Sequence, residues 1–379
     1  MELRELLFII HQRNGVGNAT LLKIIGSGFA AHELRLLSCE QWQETVESKR
    51  LGEIIYDSLQ NDCLQKHLTI YRNHGIDFIT LLDERYPPLL KQIKDPPVIL
   101  YGKGDLSLLN MSCIAIVGTR VATVYGKRTT TLFSRELAER GVCVVSGMAS
   151  GVDGCAHEGA LAVGGATIAV LGCSLEYVYP REHKALYEQV ATQGLLLSEY
   201  PLITPPKAGL FPMRNRIIAG LSRGILVVEA ALRSGSLITA YNGVDESRDI
   251  FAIPGPITSP KSLGTLDLIK RGAKMVTSVD EILEEYKYDE TFAEALRPLG
   301  ADSVMTASVP LANNSQLTSA HLTTAELRVL EQLSGEPLAF DELLELLQYD
   351  FGQLHALLLS LLLKKRILQH PGMCYTLNH

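Results

Sequence analysis

The sequence has few of the features that mark secreted, disulfide-stabilised or membrane proteins. Its seven cysteines are scattered from Cys39 to Cys374 without a Cys-x-x-Cys pair, which argues against a disulfide framework and against a zinc site. No apolar run is long enough to cross a bilayer. The first residues lack the basic, apolar and small-residue parts of a signal peptide. We therefore expect a cytoplasmic protein with no membrane partner.

Motifs of the common catalytic and cofactor-binding classes are also missing. The chain has no Gly-x-Ser-x-Gly nucleophile elbow, no lysine placed after its glycines as in a P-loop, and no His or Cys pair at metal-ligand spacing. The turn after the first core strand is not a Gly-x-Gly-x-x-Gly dinucleotide fingerprint. These absences predict a protein without cofactor, metal or catalytic residues, and they favour binding over turnover.

Between residues 110 and 284, short apolar runs alternate with helical segments. Continuous apolar runs are typical of parallel strands buried on both faces, and crossover helices join such strands. The alternation therefore predicts an α/β core with a mostly parallel sheet. Cysteines in these runs, such as Cys113 and Cys143, are expected to act as small buried apolar residues. The predicted strands are residues 113–117, 142–145, 166–171, 195–197, 225–228, 250–253 and about 274–276.

A small helical region precedes this core. Residues 1–84 show helical spacing and are predicted to form an N-terminal domain. Within it, the turn at residues 14–17 indicates either a helix-hairpin-helix or SAM-like arrangement, whose turn amides can hold a DNA phosphate, or a glycine turn inside a helical bundle. Two Pro-Pro pairs exclude a regular helix in residues 84–105. We expect this connector to pack along the α/β domain, which is assigned to residues 85–284.

The C-terminal part is predicted to consist of a linker and a small binding module. Residues 285–321 are polar and lack periodicity, which is typical of a linker. Residues 322–379 contain three helical segments and a terminal hairpin with Pro371-Gly372 at its tip, which is the element order of a winged helix. Cations at the end of the third helix, Lys364-Lys365-Arg366, either contact DNA or only complement the helix dipole.

Functional residues are expected in the loops that follow the strands, since open α/β folds bind ligands at the carboxyl edge of the sheet. Arg120, in the Gly118-Thr119-Arg120 turn, is placed to grip a phosphate, although a pair with a carboxylate would explain it equally well. The glycine-rich loop 146–154 is a candidate anion nest above the next helix. Its Asp153 is expected to cap that helix, and His157 to bond a neighbouring loop.

The most distinctive loop segment, residues 205–216, combines two arginines, an asparagine, a lysine and an aromatic ring. A cation that holds phosphate and an aromatic face that stacks a base are the combination used for single strands. Because the formal net charge is −7, a nucleic-acid partner requires such a local cluster. The opposing interpretation buries Phe211 in the core and pairs Arg214 with a carboxylate. The presence of Arg120 and the glycine-rich loop at the same edge favours a binding site.

Seven ordered motifs in the central domain resemble the DNA-processing protein A family (DprA, also called Smf). The resemblance covers residues 85–284, and the helical start and winged-helix-like end match the family's usual layout with weaker motifs. The seven motifs are VGTR at 117–120, VVSGMASGVDGCAH at 144–157, GGATIAVLGCSLEYVYP at 164–180, SEYP at 198–201, FPMRNRIIAGLS at 211–222, VVEAALRSGSLITA at 227–240 and FAIPGP at 251–256.

The resemblance implies an extended Rossmann-like, mostly parallel α/β domain with a small helical N-terminal domain and a C-terminal winged-helix-like domain. It implies a homodimer that binds single-stranded DNA, protects incoming DNA and loads the RecA recombinase during natural transformation, without catalytic turnover. The DNA-binding residues that it implies are Arg120, Ser146, Gly147, Arg181, Lys207, Phe211, Arg214 and Asn215.

Two positions depart from the family pattern. Ser150 stands where the family usually has an arginine before the Gly-Ile/Val-Asp triplet, which removes a phosphate contact. Ser247 precedes Arg248 where the family usually has glycine, and we expect it to alter only a turn.

Two rival functions come from other classes. One is a nucleotide-processing Rossmann-like enzyme of the phosphoribohydrolase type, but this chain lacks the PGGxGT loop and catalytic glutamate of those enzymes at the matching loop. The other is a structural adaptor that acts through the winged helix.

Overall fold

The computed structural model describes residues 2–60, 64–202, 204–289 and 292, and, toward the C-terminus, 324–333, 338–347, 349, 351–364, 366–370 and 374–377. The chain divides into two compact units, residues 1–304 and 305–379. Most of the predicted linker, from residue 293 to residue 321, lies outside the described residues. None of the described helices is both long enough and apolar enough to cross a membrane.

The first unit is built on one nine-stranded sheet in the order β1-β2-β6-β5-β4-β3-β7-β8-β9. In this spatial order, all neighbouring strands from β6 to β9 pair in parallel. The pairs β1–β2 and β2–β6 are antiparallel. The predicted Rossmann-like, mostly parallel architecture is therefore confirmed. The strands are Asp77–Thr80, Ile99–Gly104, Cys113–Val117, Cys143–Ser146, Thr167–Leu171, Leu195–Ser198, Gly224–Val227, Asp249–Ala252 and Lys274–Met275.

The seven strands predicted from apolar runs are all present, and the five central ones have side chains buried on both faces of the sheet. Every residue of β3 to β7 is buried, and helices cover both faces. Cys113 and Cys143 are buried within paired strands as expected. The five cysteines whose state is described, Cys39, Cys113, Cys143, Cys155 and Cys173, are free thiols.

The two antiparallel edge strands were not predicted. Strand β1 (Asp77–Thr80) lies within the part expected to be helical, and β2 (Ile99–Gly104) lies within the connector. The prediction that the connector contains no regular helix is wrong, since a short helix, Pro88–Lys91, begins at the second proline of the first pair, where the missing N–H costs no intrahelical bond. Strand β2 begins two residues after Pro97. Strand β2 finds its partner β6 almost one hundred residues later, Tyr101 lying opposite Ser198. A local sequence pattern does not show such a distant pairing.

Helix α11 (Leu210–Leu221) begins within the segment 205–216, which the sequence predicts to be a loop. Pro212 fits there because it stands in the first turn, where backbone N–H groups have no intrahelical partner. The remaining helices after β1 are α7 (Pro88–Lys91), α8 (Val124–Glu139), α9 (Val152–Ala162), α10 (Lys184–Gln193), α12 (Gly235–Asp245), α13 (Leu263–Lys270) and α14 (Val279–Leu283).

Six short helices at the N-terminus pack against the edge of the sheet and share its hydrophobic core. The ring of Phe8 stacks on Phe78 of β1 with centroids 4.5 Å apart. The Nδ1 atom of buried His11 is 2.8 Å from the hydroxyl of Tyr101 on β2. These contacts join the helical region to the sheet in one core. The six helices are Leu3–His11, Asn18–Gly26, Ala31–Leu34, Cys39–Thr45, Lys49–Gln60 and Leu64–Asn73, numbered α1 to α6.

The second unit is the predicted winged helix. Its three helices and the terminal hairpin enclose a small core of their own, and one short extra strand joins the hairpin. Lys364 at the end of the last helix pairs with buried Glu326 at 2.6 Å, so at least this cation serves the fold. The hairpin tip, Pro371-Gly372, lies outside the described residues. The elements are α15 (Thr324–Gln332), β10 (Leu338–Ala339), α16 (Phe340–Leu347), α17 (Phe351–Leu363), β11 (Ile367–His370) and β12 (Cys374–Leu377).

Two fully buried histidines make the stability of the first unit depend on pH. Burial lowers the pKa of His11 to about 4, and burial, with the nearby charges of His183 and Arg214, lowers the pKa of His157 to about 3. An unfolded chain binds protons at these histidines from about pH 6.5 downward. The unfolded state therefore gains protons first, and stability is lost as pH falls toward 4.

The expected effect is a loss of about 1.4 kcal/mol of unfolding free energy per pH unit for each buried histidine, between about pH 6 and pH 5. His157→Gln should reduce the wild-type slope by about that amount. Urea unfolding at the two pH values measures both slopes. An unchanged slope in the variant would mean that His157 is protonated in the folded protein.

Candidate nucleic-acid interface

The loops that follow β3, β4, β5 and β7 meet at the carboxyl edge of the sheet, together with the start of α11. They enclose two adjacent cavities of about 370 and 390 Å³. Four residues line both cavities, namely Arg120, Ala149, Phe211 and Arg214. The edge therefore has two compartments that are separated by one aromatic ring and one exposed cation.

Phe211 and Arg120 form the partition between the two cavities. Phe211 is half-buried, and its ring centroid is 5.0 Å from that of Tyr179. The guanidinium carbon of exposed Arg120 lies 5.9 Å from the Phe211 centroid, a cation–π distance. A side chain at Gly172 would place its Cβ 2.7 Å from the same ring, so glycine is needed there. The Phe211 ring thus packs closely against Gly172 and also contacts the Arg120 cation.

Arg214 lies beneath the cavities and holds the glycine-rich loop in place. Its side chain is 5% exposed. Its Nη1 donates to the carbonyls of Gly147, at 2.7 Å, and Val170, and its Nε donates to the Oδ1 of Asn215 at 3.2 Å. A Cβ at Gly147 would come within 2.2 Å of Nη1. Position 147 therefore requires glycine because the guanidinium occupies the space of a side chain.

Asp153 provides the charge that balances this buried arginine. The prediction that Asp153 caps α9 is wrong, since Gly151 is the N-cap residue. The Asp153 carboxylate instead accepts a bond from the Ala149 amide at 3.3 Å, inside the loop. Burial raises the pKa of Asp153, although the attraction of Arg214 opposes the shift. Burial likewise lowers the pKa of Arg214, against the attraction of Asp153.

The glycine-rich loop contains backbone conformations that L-residues rarely adopt. Gly151 has φ 82°, and a Cβ there would meet the Thr119 carbonyl oxygen at 2.4 Å. Met148 has φ 59° despite its side chain, and it is fully buried. Its carbonyl oxygen lies 3.0 Å from Nδ1 of His183. Strained backbone of this kind tends to cluster at binding sites.

Six of the eight predicted DNA-binding residues line the two cavities, and two do not. The Ser146 hydroxyl is fully buried and donates to the Ile116 carbonyl at 2.7 Å. Lys207 is exposed at a third cavity of about 590 Å³, which the turn at residues 14–17 also lines. The DNA contacts of all eight stay predictions. The six cavity-lining residues are Arg120, Gly147, Arg181, Phe211, Arg214 and Asn215.

The two family departures have visible structural consequences. The Ser150 hydroxyl donates to Glu182 at 3.0 Å, so it ties the glycine-rich loop to the segment that carries Arg181. Ser247 adopts φ 57°, in the left-handed region where glycine is favoured. The expectation that Ser247 alters only a turn agrees with its place directly after α12.

Several residues for which no role was predicted line or support the first cavity. The Glu229 carboxylate is buried and accepts bonds from the amide and hydroxyl of Thr123 at 2.9 and 2.5 Å, which fixes the start of α8. Ser234, Ser236 and Thr239 line the cavity from the first turns of α12. Their signal was the Ser-Gly-Ser run after a strand, which marks a helix start. His157, expected to bond a neighbouring loop, instead lies 2.8 Å from the Thr167 hydroxyl of β5.

A parallel sheet with strained loops and cation-lined cavities at its carboxyl edge defines a Rossmann-like α/β ligand-binding protein. Residues 77–287 match DNA recombination-mediator protein A, and residues 314–373 match the DprA winged helix domain. The chain belongs to the DNA recombination-mediator protein A family, whose members include proteins called DprA and Smf.

Relatives of known sequence and structure agree with this assignment. The chain is 44% identical over 223 residues to DNA processing protein DprA of Bacillus subtilis, covering 59% of this chain and 75% of that one. It is 50% identical over 206 residues to Protein Smf of Escherichia coli, covering 54% and 55% of the two chains.

Two solved structures are similar to this fold. DprA from Streptococcus pneumoniae has a TM-score of 0.67 at 36% identity, over 75% of this chain and 99% of that one. DNA processing protein A from Helicobacter pylori has a TM-score of 0.51 at 36% identity, over 56% and 97% of the two chains. The second structure concerns the single-stranded DNA binding mode of the H. pylori protein.

The contacts of Arg214 predict that it is needed for folding. Arg214→Met should lower the free energy of unfolding by about 3–5 kcal/mol, because it leaves the Asp153 carboxylate buried without its cation. Combining it with Asp153→Asn should cost less than the two single losses added together, with a coupling of about 0.5–3 kcal/mol. Urea unfolding of the wild type, the two single variants and the double variant measures this double-mutant cycle.

The matched control is Arg181→Met, which removes an exposed arginine from the second of these cavities and should change stability by no more than about 0.5 kcal/mol. If Arg214→Met were as stable as the control, Arg214 would serve only a ligand.

Proposed function

We propose that the chain binds single-stranded DNA at this carboxyl edge and acts as a recombination mediator. The observation that carries the proposal is the placement of exposed Arg120 over the ring of Phe211, between two open cavities. A cation beside an aromatic face can hold a backbone phosphate while the ring stacks a base. The assignment to the recombination-mediator family and the single-stranded DNA studied with the H. pylori relative support the same ligand.

Single strands fit this site better than duplex DNA does. The cavities lie between loops, so a base must leave its stack to enter them, and bases of a single strand are already accessible. The cations at the cavities, Arg120 and Arg181, are exposed and available to phosphates. Lys207, at the neighbouring cavity, is also exposed and extends the cationic side of the site.

Binding without turnover is the mode of action that we favour. Of the carboxylates that line the two cavities, Asp153 is buried and bonded within its loop, and Glu182 accepts the Ser150 hydroxyl. Backbone hydrogen bonding and that hydroxyl lower the pKa of Glu182, which does not suit a general acid at neutral pH. Nucleoside monophosphates, tested for turnover in parallel, address the rival phosphoribohydrolase function.

The finer role follows the family resemblance. We propose that a homodimer of this chain protects incoming single strands in the cytoplasm and loads RecA onto them during natural transformation. Binding of a second copy of the chain and binding of RecA each need a protein-binding surface, and helix α12 offers one. Ile238, Tyr241 and Val244 recur along it at helical spacing with 40%, 42% and 59% of their surfaces exposed. Exposed apolar side chains that cluster on a helix are typical of protein–protein contacts.

Stacking and charge can be separated at two residues. Phe211→Ala should cost about 1–3 kcal/mol of DNA affinity and leave the salt dependence unchanged, because no phosphate contact is lost. Lys207→Ala should do the reverse and reduce the log–log salt slope by about 0.7. Fluorescence anisotropy with a labelled oligonucleotide over a salt series measures both quantities. A melting temperature lowered in Phe211→Ala, with unchanged DNA affinity, would contradict the stacking role.

Strand preference separates the sheet edge from the winged helix as the main DNA site. Single strands should outcompete duplex of the same length, and removal of residues 322–379 should leave single-strand affinity largely intact. Competition gel shifts on the full chain and the shortened chain measure this. Equal affinity for both DNA forms, or loss of single-strand binding in the shortened chain, would assign the main contact to the winged helix.

A further inference from the structure

Beside the two cavities, three loops form a second surface that the proposed site does not use. They follow the adjacent strands β3, β7 and β8 and, with the first residues of the helices α8, α12 and α13 that come after them, comprise residues 119–128, 230–236 and 254–263. We call them the loop surface. Arg120 belongs both to this surface and to the cavities, so the two regions are continuous.

Hydrogen bonds between the loops fix the loop surface as one unit. The Thr119 amide donates to the Glu229 carbonyl at 2.7 Å, and the Ala230 amide donates to the Lys261 carbonyl at 2.7 Å. The Tyr125 hydroxyl donates to the Pro254 carbonyl at 3.0 Å. These bonds join the first loop to the second, the second to the third, and the third to the first. Groups on all three loops therefore keep fixed relative positions.

The charge of the loop surface is opposite to that of the whole chain. Its three segments contain no aspartate or glutamate, while the formal net charge of the chain is −7. Glu229, which precedes the second loop, is buried and bonded to Thr123. The Lys261 ammonium also donates to the Val121 carbonyl. The three segments contain the cations Arg120, Lys127, Arg128, Arg233 and Lys261. Of these, Lys127 lies close to Cys155 of helix α9, away from the other two loops.

Exposed apolar groups alternate with these cations. Val121, Val124 and Ile257 are 71%, 68% and 80% exposed. The Tyr125 ring is 48% exposed, and its hydroxyl bond to Pro254 holds it in place. A flat phosphate-binding surface for duplex DNA would not need exposed apolar groups. Cations interleaved with aromatic and aliphatic faces are instead typical of surfaces that hold single strands.

We propose that a single strand held at the Arg120–Phe211 cavities continues over the loop surface, with exposed Arg128 and Arg233 on its phosphates and Tyr125 against a base. This extension rests on the proposed single-strand binding at the cavities. It assigns the strand a direction across the sheet edge, away from Arg181 and toward β7 and β8. It also predicts a site longer than the two cavities could hold.

The test compares a (dT)4 tetranucleotide with a (dT)20 strand on the full chain. The double variant Arg128→Ala/Arg233→Ala should lose more affinity for (dT)20 than for (dT)4. Its log–log salt slope for (dT)20 should fall by about 1.4, from two lost phosphate contacts at about 0.7 each. Tyr125→Ala should weaken (dT)20 binding roughly 5- to 150-fold. Tyr125→Phe, which keeps the ring and loses the bond to Pro254, should retain most of the affinity.

The matched control is Lys49→Ala/Arg50→Ala, an exposed Lys-Arg pair on helix α5 that removes the same charge outside the loop surface and the cavities. It should leave the (dT)20 slope at the wild-type value. An equal loss in the control, or an unchanged slope in the Arg128/Arg233 variant, would overturn the extension while wild-type binding still upheld the cavity site. Wild-type protein that binds neither oligonucleotide would overturn the proposed function itself, and the extension with it.

Discussion

The buried guanidinium of Arg214 is the interaction on which the carboxyl edge of the sheet depends. It joins the end of β5, the glycine-rich loop after β4 and the first turns of α11 through bonds to the carbonyls of Val170 and Gly147. A buried arginine is costly unless its donors and its charge are satisfied, and here carbonyl dipoles and Asp153 do so. The same residue therefore sets the shape of both cavities and the position of Phe211 three residues before it.

The cations of the site fall into a buried, structural group and an exposed group. Arg214 is buried and hydrogen-bonded to backbone carbonyls, and Arg216 forms ion pairs with Glu199 and Asp95 at 2.6 and 3.0 Å. Arg120, Arg181 and Lys207 stay exposed. A rigid floor with exposed cations above it lets a ligand bind without reorganising the protein, which lowers the cost of binding. The strain at Met148 is stored in the loop that Arg214 holds.

The sheet edge opposite β9 shows a second use of distant contacts. Strands β1 and β2 extend the parallel core in the antiparallel sense, and the N-terminal helices cover them through the rings of Phe8, Tyr71, Phe78 and Tyr101. These ring contacts bury one face of the two strands, and the Arg4 guanidinium donates to the Phe78 carbonyl of β1 at 3.3 Å. The helical region thus belongs to the same core as the sheet, and no separate core is seen for it among the described residues.

The sequence by itself determined the parallel core and the winged helix, and it predicted the carboxyl edge of the sheet as the candidate binding site. Strands buried on both faces, such as Cys113–Val117, must be continuously apolar, and glycine-rich loops must follow them where the backbone turns. Only the tertiary structure decided which polar residues of that edge are exposed. Arg120 and Arg214 look alike in sequence, yet Arg120 is exposed and Arg214 is buried. Their burial depends on which strands and helices meet at that edge, a non-local property that neither residue's neighbours in the chain record.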